Sequence, residues 1–250
     1  THFIQHLLEG NVVKYYHHAF YFLFPILGLS LVYLAIKYII RNKVSHGIPS
    51  TLFAISKRKG IIKQYQMFGS ILTAPLTVGF GGSVGLEGPT VATGAAIGSN
   101  ISRMFHMNQT TRNLLIGCAA AGAMASMFKA PIAAIIFAIE IFSLDIAFTS
   151  LVPLLLASVS AVVTSYMFLG TDVLLRFQLA DKFEINDIGF YAVLGLVTAL
   201  ASVYFSKVFF AITNFFKQFK SRAVRFLIGG LAIGTMLYFI PPLYGEGYGI

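Results

Sequence analysis

Glu87 is a lone carboxylate set in Gly85-Leu86-Glu87-Gly88-Pro89, inside an apolar stretch rich in small residues. The flanks Ala74–Gly85 and Val91–Ile101 carry no other acid. An ionised side chain at membrane depth costs about 3 kcal/mol or more, so such residues are rare and mark ion or proton pathways. Pro89 suits the first turn of a helix, where its missing N–H is not needed. A helix beginning here presents unpaired N–H groups and partial positive charge, which together form a site for an anion. Glu87 can fill that site with its own carboxylate or leave it to another anion. The chemistry in prospect is that of a gate.

Three further pieces carry candidate chemistry. Ser45-His46-Gly47-Ile48-Pro49 follows the basic end of an apolar segment, and Gly47 permits dihedrals closed to other residues. Pro49 and Ser50 suit the opening of a short helix over Ser50–Ser56, although the same residues also suit an ordinary turn. Asn108 can cap a helix carrying Arg112 in its early turns and the small-residue run Gly117–Ala123. Asn108-Gln109-Thr110 also matches a glycosylation sequon, but capping accounts for it. Lys129-Ala130-Pro131 precedes an apolar helix over Ile132–Phe142 that contains Glu140. Glu140 is either a group on a proton route or a helix-end carboxylate at the interface, close to Asp145.

The elements that must position these residues are membrane helices. Hydrophobic residues make up 57% of the 250 and charged ones 11%, with a mean hydropathy of +0.79; this is not the balance of a water-soluble domain. Ala19–Ile40, Ser150–Leu169, Ile188–Ile212 and Phe226–Leu243 meet the length of about 20 apolar residues that a membrane span needs. Ile61–Ile146 is equally apolar but is broken by Gly, Pro, Asn and isolated charges. Broken helices at membrane depth persist only where they pack in protein or line an aqueous cavity. The expected fold is therefore an all-α, multi-spanning bundle of tilted and broken helices.

Charge placement supports this reading and argues against others. The net charge of +9 comes from clusters at span ends: Arg41, Lys43, Lys57, Arg58, Lys59 and Lys63, then Lys217, Lys220, Arg222 and Arg225. Basic residues in short loops mark the cytoplasmic face; they are not a nucleic-acid footprint with interleaved aromatics. Between Gly10 and Gly170 the acids are Glu87, Glu140 and Asp145. The polar stretch Thr171–Asp187 reads as a solvated connection between two halves. Cys118 is the one cysteine and is expected to be a packing residue. No zinc-ligand spacing, nucleophile–base set, P-loop or dinucleotide fingerprint is present, so neither a metal site nor an enzyme is expected.

Gly47-Ile48-Pro49, Gly85-x-Glu87-Gly88-Pro89, and Ala130-Pro131 before an apolar helix ending in a carboxylate together resemble the CLC family of chloride channels and proton/chloride exchangers. The resemblance spans roughly Phe20–Leu169 and continues more loosely to the end. It implies a subunit of two inverted-topology halves with ion sites where broken-helix N-termini converge. Residues 1–170 would form most of the first half, 171–187 the connection, and 188–250 the start of the second. The family's later Gly-x-Phe-x-Pro element and coordinating tyrosine are not among these residues, so a longer polypeptide is expected. Whether a cytoplasmic regulatory domain, which some relatives append, belongs to it stays open.

The resemblance also implies a mechanism. Chloride would meet backbone around Ser45, His46, Gly47 and Ile48 from the cytoplasmic side, and around Gly85, Leu86 and Gly88 from the other, with Glu87 competing as the gate. No cofactor is expected beyond the transported ion. The implied partners are the lipid bilayer of the inner (plasma) membrane and a second copy of the chain, giving a homodimer with one pore per subunit. Ile132–Phe142 and Ser150–Leu169 are the candidate dimer surfaces. Four positions depart from the family pattern. Ser45 and His46 replace Gly-Ser in the first motif, so an imidazole stands where the family hydroxyl would be. Leu86 replaces a common basic residue. Ile141 stands where exchangers carry a second glutamate, which favours channel-like or weakly proton-coupled conduction. A proton/chloride antiporter using Glu140, a carrier of organic anions, and a non-transporting scaffold are the alternatives.

Overall fold

The computed structural model describes residues 19–42, 47–144, 147–170, 185–219, 221–240 and 243–245. Among them the chain is helical, without strands. Helix α1 spans Ala19–Leu34 and runs into a π-helical turn, Ala35–Ile40, that ends at Arg41 in the left-handed region (φ 55°). Then come α2 Ile48–Lys57, α3 Gln66–Gly79, α4 Glu87–Met104, α5 Gln109–Phe128, α6 Pro131–Phe142 and α7 Phe148–Leu169. A short 3-10 turn, Ile185–Asp187, leads into α8 Ile188–Lys217, and α9 covers Arg222–Phe239. Among the described residues three helices are long and apolar enough to cross a membrane: Phe22–Ile40, Phe148–Leu169 and Ile188–Lys217. The fourth expected span, Phe226–Leu243, is displaced: its helix runs Arg222–Phe239, with an apolar part, Ala223–Phe239, short of a full span, and stops ahead of Pro241-Pro242, which have no N–H to continue it.

The described residues of Thr1–Leu175 with Gly230–Ile250 form one unit, and those of Arg176–Gly229 a second. The second is α8 and the start of α9. None of the α8 side chains is buried, and its Phe residues lie against one another, stacked at Phe205–Phe209 and edge-on at Phe209–Phe210. Arg225 Nε donates to the Phe219 carbonyl at 2.7 Å, closing the turn between the two helices. An apolar, unburied helix of this length is suited to lipid. In the first unit α5 is the central element, packed against α4, α6 and α7.

Small residues let these backbones approach. A Cβ built on Gly94 would stand 2.6 Å from the Ala119 carbonyl oxygen, and one on Gly98 would meet the Leu115 carbonyl oxygen closer still. The α4–α5 contact is thus backbone on backbone, the arrangement that membrane helices use in place of hydrophobic collapse. The opposite face of α5 meets α7 less tightly: a Cβ on Gly122 would lie 3.4 Å from the Ala157 carbonyl and the Ala161 methyl. Cys118, Ala120, Ala121 and Ala125 are buried between these layers, as the small-residue run implied.

A buried hydrogen-bond knot ties α2 to this pair. Ser99 on α4 is 0% exposed; its hydroxyl donates to the Gly60 carbonyl at 2.6 Å and accepts from the Ile62 N–H at 3.0 Å. Asn100 Nδ2 donates to the Ile62 carbonyl at 3.2 Å. Arg112 on α5 donates to the Lys59 carbonyl at 3.0 Å and the Met107 carbonyl at 2.9 Å. Asn108 caps α5 as expected, its Oδ1 accepting from the Thr111 N–H at 2.8 Å. The knot gathers Lys57, Arg58, Lys59, Lys63, Arg103 and Arg112 at one end of the bundle. At α9, Gly230 lies against Ile26 and Gly234 against the Phe22 carbonyl, and Tyr244 Oη donates to the Gly79 carbonyl at 2.7 Å.

The glycine contacts rank three substitutions. Gly94→Ala and Gly98→Ala each force α4 off α5 and are expected to cost about 1–3 kcal/mol, whereas Gly122→Ala fills ordinary contact space and is expected to be close to neutral. Thermal unfolding of the purified protein in detergent checks the order.

Candidate functional site

The site begins where α3 stops. Its last turn closes at Phe80, Gly81 turns the chain at φ 93°, and the Gly82 N–H returns to the Thr77 carbonyl at 2.8 Å. The backbone is then irregular until α4 starts at Glu87. The first hydrogen bonds of α4 are the Thr90 N–H (3.0 Å) and the Thr90 hydroxyl (2.7 Å), both to the Leu86 carbonyl. Pro89 sits inside this first turn and contributes no donor. The opening of α4 thus carries the partial positive charge expected of a helix N-terminus.

Glu87 is half-buried at that opening and its carboxylate turns back over Gly85. The carboxylate carbon lies 2.9 Å from the point where a Cβ on Gly85 would stand, and one carboxylate oxygen lies closer. Only glycine leaves the space that the Glu87 side chain takes up.

The second opening is that of α2. Gly47 adopts φ 68° and ψ −138°, a combination for glycine alone, and its carbonyl accepts from the Ser50 hydroxyl at 2.8 Å and the Thr51 N–H at 3.4 Å. A Cβ on Gly47 would lie 3.5 Å from the Gly88 carbonyl oxygen. Two helix openings far apart in sequence therefore touch through glycines, and Gly47, Ile48, Gly85, Leu86 and Gly88 come together. Ser45 and His46 lie outside the described residues, as does Asp145.

A third opening is set by Lys129. It ends α5 in the left-handed region (φ 55°), donates to the Gly170 carbonyl at the end of α7, and places its Nζ 4.9 Å from the centre of the Tyr166 ring. Pro131 then starts α6, with the Ala134 N–H on the Ala130 carbonyl at 3.1 Å. Glu140 is exposed on α6, on the side that also exposes Ile132 and Ile136.

Two cavities adjoin the first two openings. One, of about 190 Å3, is walled by Gly47, Val84, Gly85, Leu86 and Pro89, and across from them by Ser70, Thr73 and Thr77 of α3. The other, of about 650 Å3, runs along α3, α4, α5 and α7 and is mostly apolar. Neither wall includes Glu140. The hydroxyl face of α3 escaped the sequence reading, though the spacing of Ser70, Thr73 and Thr77 (i, i+3, i+7) on an apolar helix is its signal. No group of three or more His, Cys, Asp or Glu arranged to hold a metal occurs among the described residues.

Converging openings of broken helices, within a helical chain that has spans of membrane length, define the class: a membrane protein built on discontinuous helices. The comparisons with known proteins narrow it. The family described as "Voltage gated chloride channel" matches residues 28–250. The chain is 31% identical over 178 residues to the H(+)/Cl(-) exchange transporter ClcA of Vibrio cholerae, an overlap of 68% of this chain and 38% of that protein. It is 28% identical over 228 residues to a putative chloride channel protein ClcB-like of Ralstonia nicotianae, covering 89% of this chain and 52% of that one. The crystal structure of a slow cyanobacterial Cl-/H+ antiporter superposes with a TM-score of 0.81 at 19% identity, over 98% of this chain and 59% of that one. A CLC-type fluoride/proton antiporter gives 0.75 at 24% identity, over 96% and 59%; at these identities the two structures establish the fold alone. The chain belongs to the voltage-gated chloride channel (CLC) family, and it spans well under two thirds of each of these relatives.

Gly47 and Gly88 meet but answer to different constraints. Gly47→Ala puts a side chain on a glycine-only backbone and is expected to cost about 1–3 kcal/mol. A Cβ on Gly88 meets nothing within 4 Å, so Gly88→Ala is expected to melt with the wild type. Unfolding curves of the two variants side by side test this.

Proposed function

We propose that the complete protein carries a small inorganic anion, chloride in the first place, across the membrane, with Glu87 as its gate. The observation that carries this reading is the meeting of two broken-helix openings, one of them holding a half-buried carboxylate, beside a cavity. Helix ends offer an anion partial charges instead of a full countercharge, so it binds favourably and still leaves. Backbone at Gly47–Ile48 would face the anion from one side and that at Gly85–Gly88 from the other. Ionised Glu87 competes for the same positive end; protonated, it has no claim on it.

Proton coupling is the finer question. Ile141 beside Glu140 favours channel-like or weakly coupled conduction, since an exposed Glu140 without a second carboxylate gives a proton one stepping stone. The relatives favour coupling instead: the Vibrio protein is an H+/Cl− exchanger and both superposed structures are antiporters. In that second reading Glu140 serves the proton route. The exposed apolar faces of α6 (Ile132 69%, Ile136 59%) and α7 (Leu155, Leu156, Val159, Val163) are the surfaces for pairing two subunits in the plasma membrane.

Reconstitution of the complete protein in liposomes, with chloride and proton movement recorded together, tests the gate. Wild-type chloride flux is expected to rise as pH falls. Glu87→Gln is expected to carry chloride at a rate indifferent to pH and with no proton movement. A Glu87→Gln protein with wild-type pH response would remove Glu87 from the gate. Uphill proton transport by the wild type would decide for exchange, and absence of chloride flux in both proteins would end the anion reading.

A further inference from the structure

The two cavities share part of their walls: Ser70, Ala74, Leu86 and Pro89 border both. These four therefore stand where the two cavities adjoin, which makes that place the neck of the site. Three are apolar. The fourth, Ser70, is 6% exposed and lies on α3 across the neck from the opening of α4.

The hydroxyls beside it are already engaged. Thr73 donates to the Gly69 carbonyl and Thr77 to the Thr73 carbonyl, each at 2.9 Å, and Thr90 to the Leu86 carbonyl at 2.7 Å. Among the described residues the Ser70 hydroxyl has no such acceptor. Nor is it among the sealed polar atoms, which are Ser102 Oγ, Arg112 Nε, Asn113 Oδ1 and Ser158 Oγ; it opens onto the cavities. A hydroxyl without an acceptor in the chain and open to a cavity is free to donate to whatever occupies that cavity.

We propose that the Ser70 hydroxyl is an anion ligand at this neck, donating its hydrogen bond to an ion held across from the first turn of α4. This deepens the anion-transport reading and rests on it. The chemistry selects an anion over a cation. The free group is an O–H donor, and the facing wall is the positive end of a helix. A neutral donor also suits transit, because it strengthens a transient stop without the hold of an Arg or Lys. A small-residue packing role for Ser70 would bury it against a neighbouring helix, not at the junction of two cavities.

The test is chloride-dependent thermal stabilisation of the complete protein in detergent, titrating chloride against gluconate at constant ionic strength. Liposome chloride flux is measured on the same proteins. Ligand binding raises the melting temperature in proportion to occupancy. For Ser70→Ala the half-saturating chloride concentration is expected to rise about tenfold or more, the worth of a hydrogen bond to a charged group. Its melting temperature in gluconate should equal or exceed wild type, because no partnered group is lost. Ser70→Thr keeps the hydroxyl and is expected to retain chloride affinity. A wild-type response retained in Ser70→Ala would overturn the role of Ser70 while leaving anion transport standing. Equal loss in Ser70→Ala and Ser70→Thr would also overturn it, by pointing to side-chain size. A wild type that neither responds to chloride nor carries it would bring down the anion reading, and this proposal with it.

Discussion

The approach of α4 to α5 at Gly94 and Gly98 governs the geometry of everything around the site. These two helices meet carbonyl to Cα, and the contact fixes where α4 begins and how it points. The same α4 offers Ser99 and Asn100 to the turn after α2, and α5 adds Arg112 to that turn. Through that knot α2 is held at its far end, which brings Gly47 to Gly88 at its near end. Moving α4 outward by the width of a methyl group would disturb both openings. In a bilayer this dependence is sharper than in water, because hydrocarbon offers no alternative partner for displaced backbone.

The economy of charge follows from the same environment. Between the basic end of α1 and the end of α7 the interior is nearly free of ionised groups, and Glu87 is placed where the backbone itself supplies positive potential. Leu86 removes the chance of a fixed side-chain cation there. The field at the α4 opening is therefore modest and made of dipoles. A carboxylate, a mobile anion, or a hydroxyl's proton across the neck can each enter that field. None is locked into it by a full opposite charge. Lys129 is no exception: its ammonium is spent on the Gly170 carbonyl and the Tyr166 ring.

Much of this could be read from residue order alone because it depends on local rules. Asn108 as a cap, Pro131 and Pro49 in first turns, the start of α4 at Gly85–Pro89 and the flat face of α5 are consequences of spacing within one helix. Lengths of apolar runs likewise named four spans, three of which are helices of membrane length among the described residues. What stayed hidden depends on contacts between elements. Nothing in Gly47 and Gly88 separately says that they touch. The hydroxyls of Ser70, Thr73 and Thr77 matter only because of the cavity beside them, which the fold alone creates. Residues 188–250 read as the beginning of a second half; that Gly230 and Gly234 lie against α1 and that Tyr244 reaches the Gly79 carbonyl of α3 could not be read there. Glycine in α9 is compatible with packing on any helix, and only the fold selects Phe22 and Ile26.

Gly85 joins the packing argument to the electrostatic one. The Glu87 carboxylate occupies the volume that a side chain at position 85 would need. A residue larger than glycine would displace the carboxylate, so the position of Glu87 over Gly85 is made by an absence two residues earlier. The helix end attracts the carboxylate to that place and the glycine makes room for it; neither suffices alone. An anion arriving at the same helix end would have to move Glu87 or wait for its proton, because two negative charges cannot share one partial positive pole cheaply. Competition of this kind needs no moving domain and no bound cofactor. It needs a short side chain with two positions, a backbone held rigid by α4 against α5, and a neighbouring space into which the displaced group or the ion can pass.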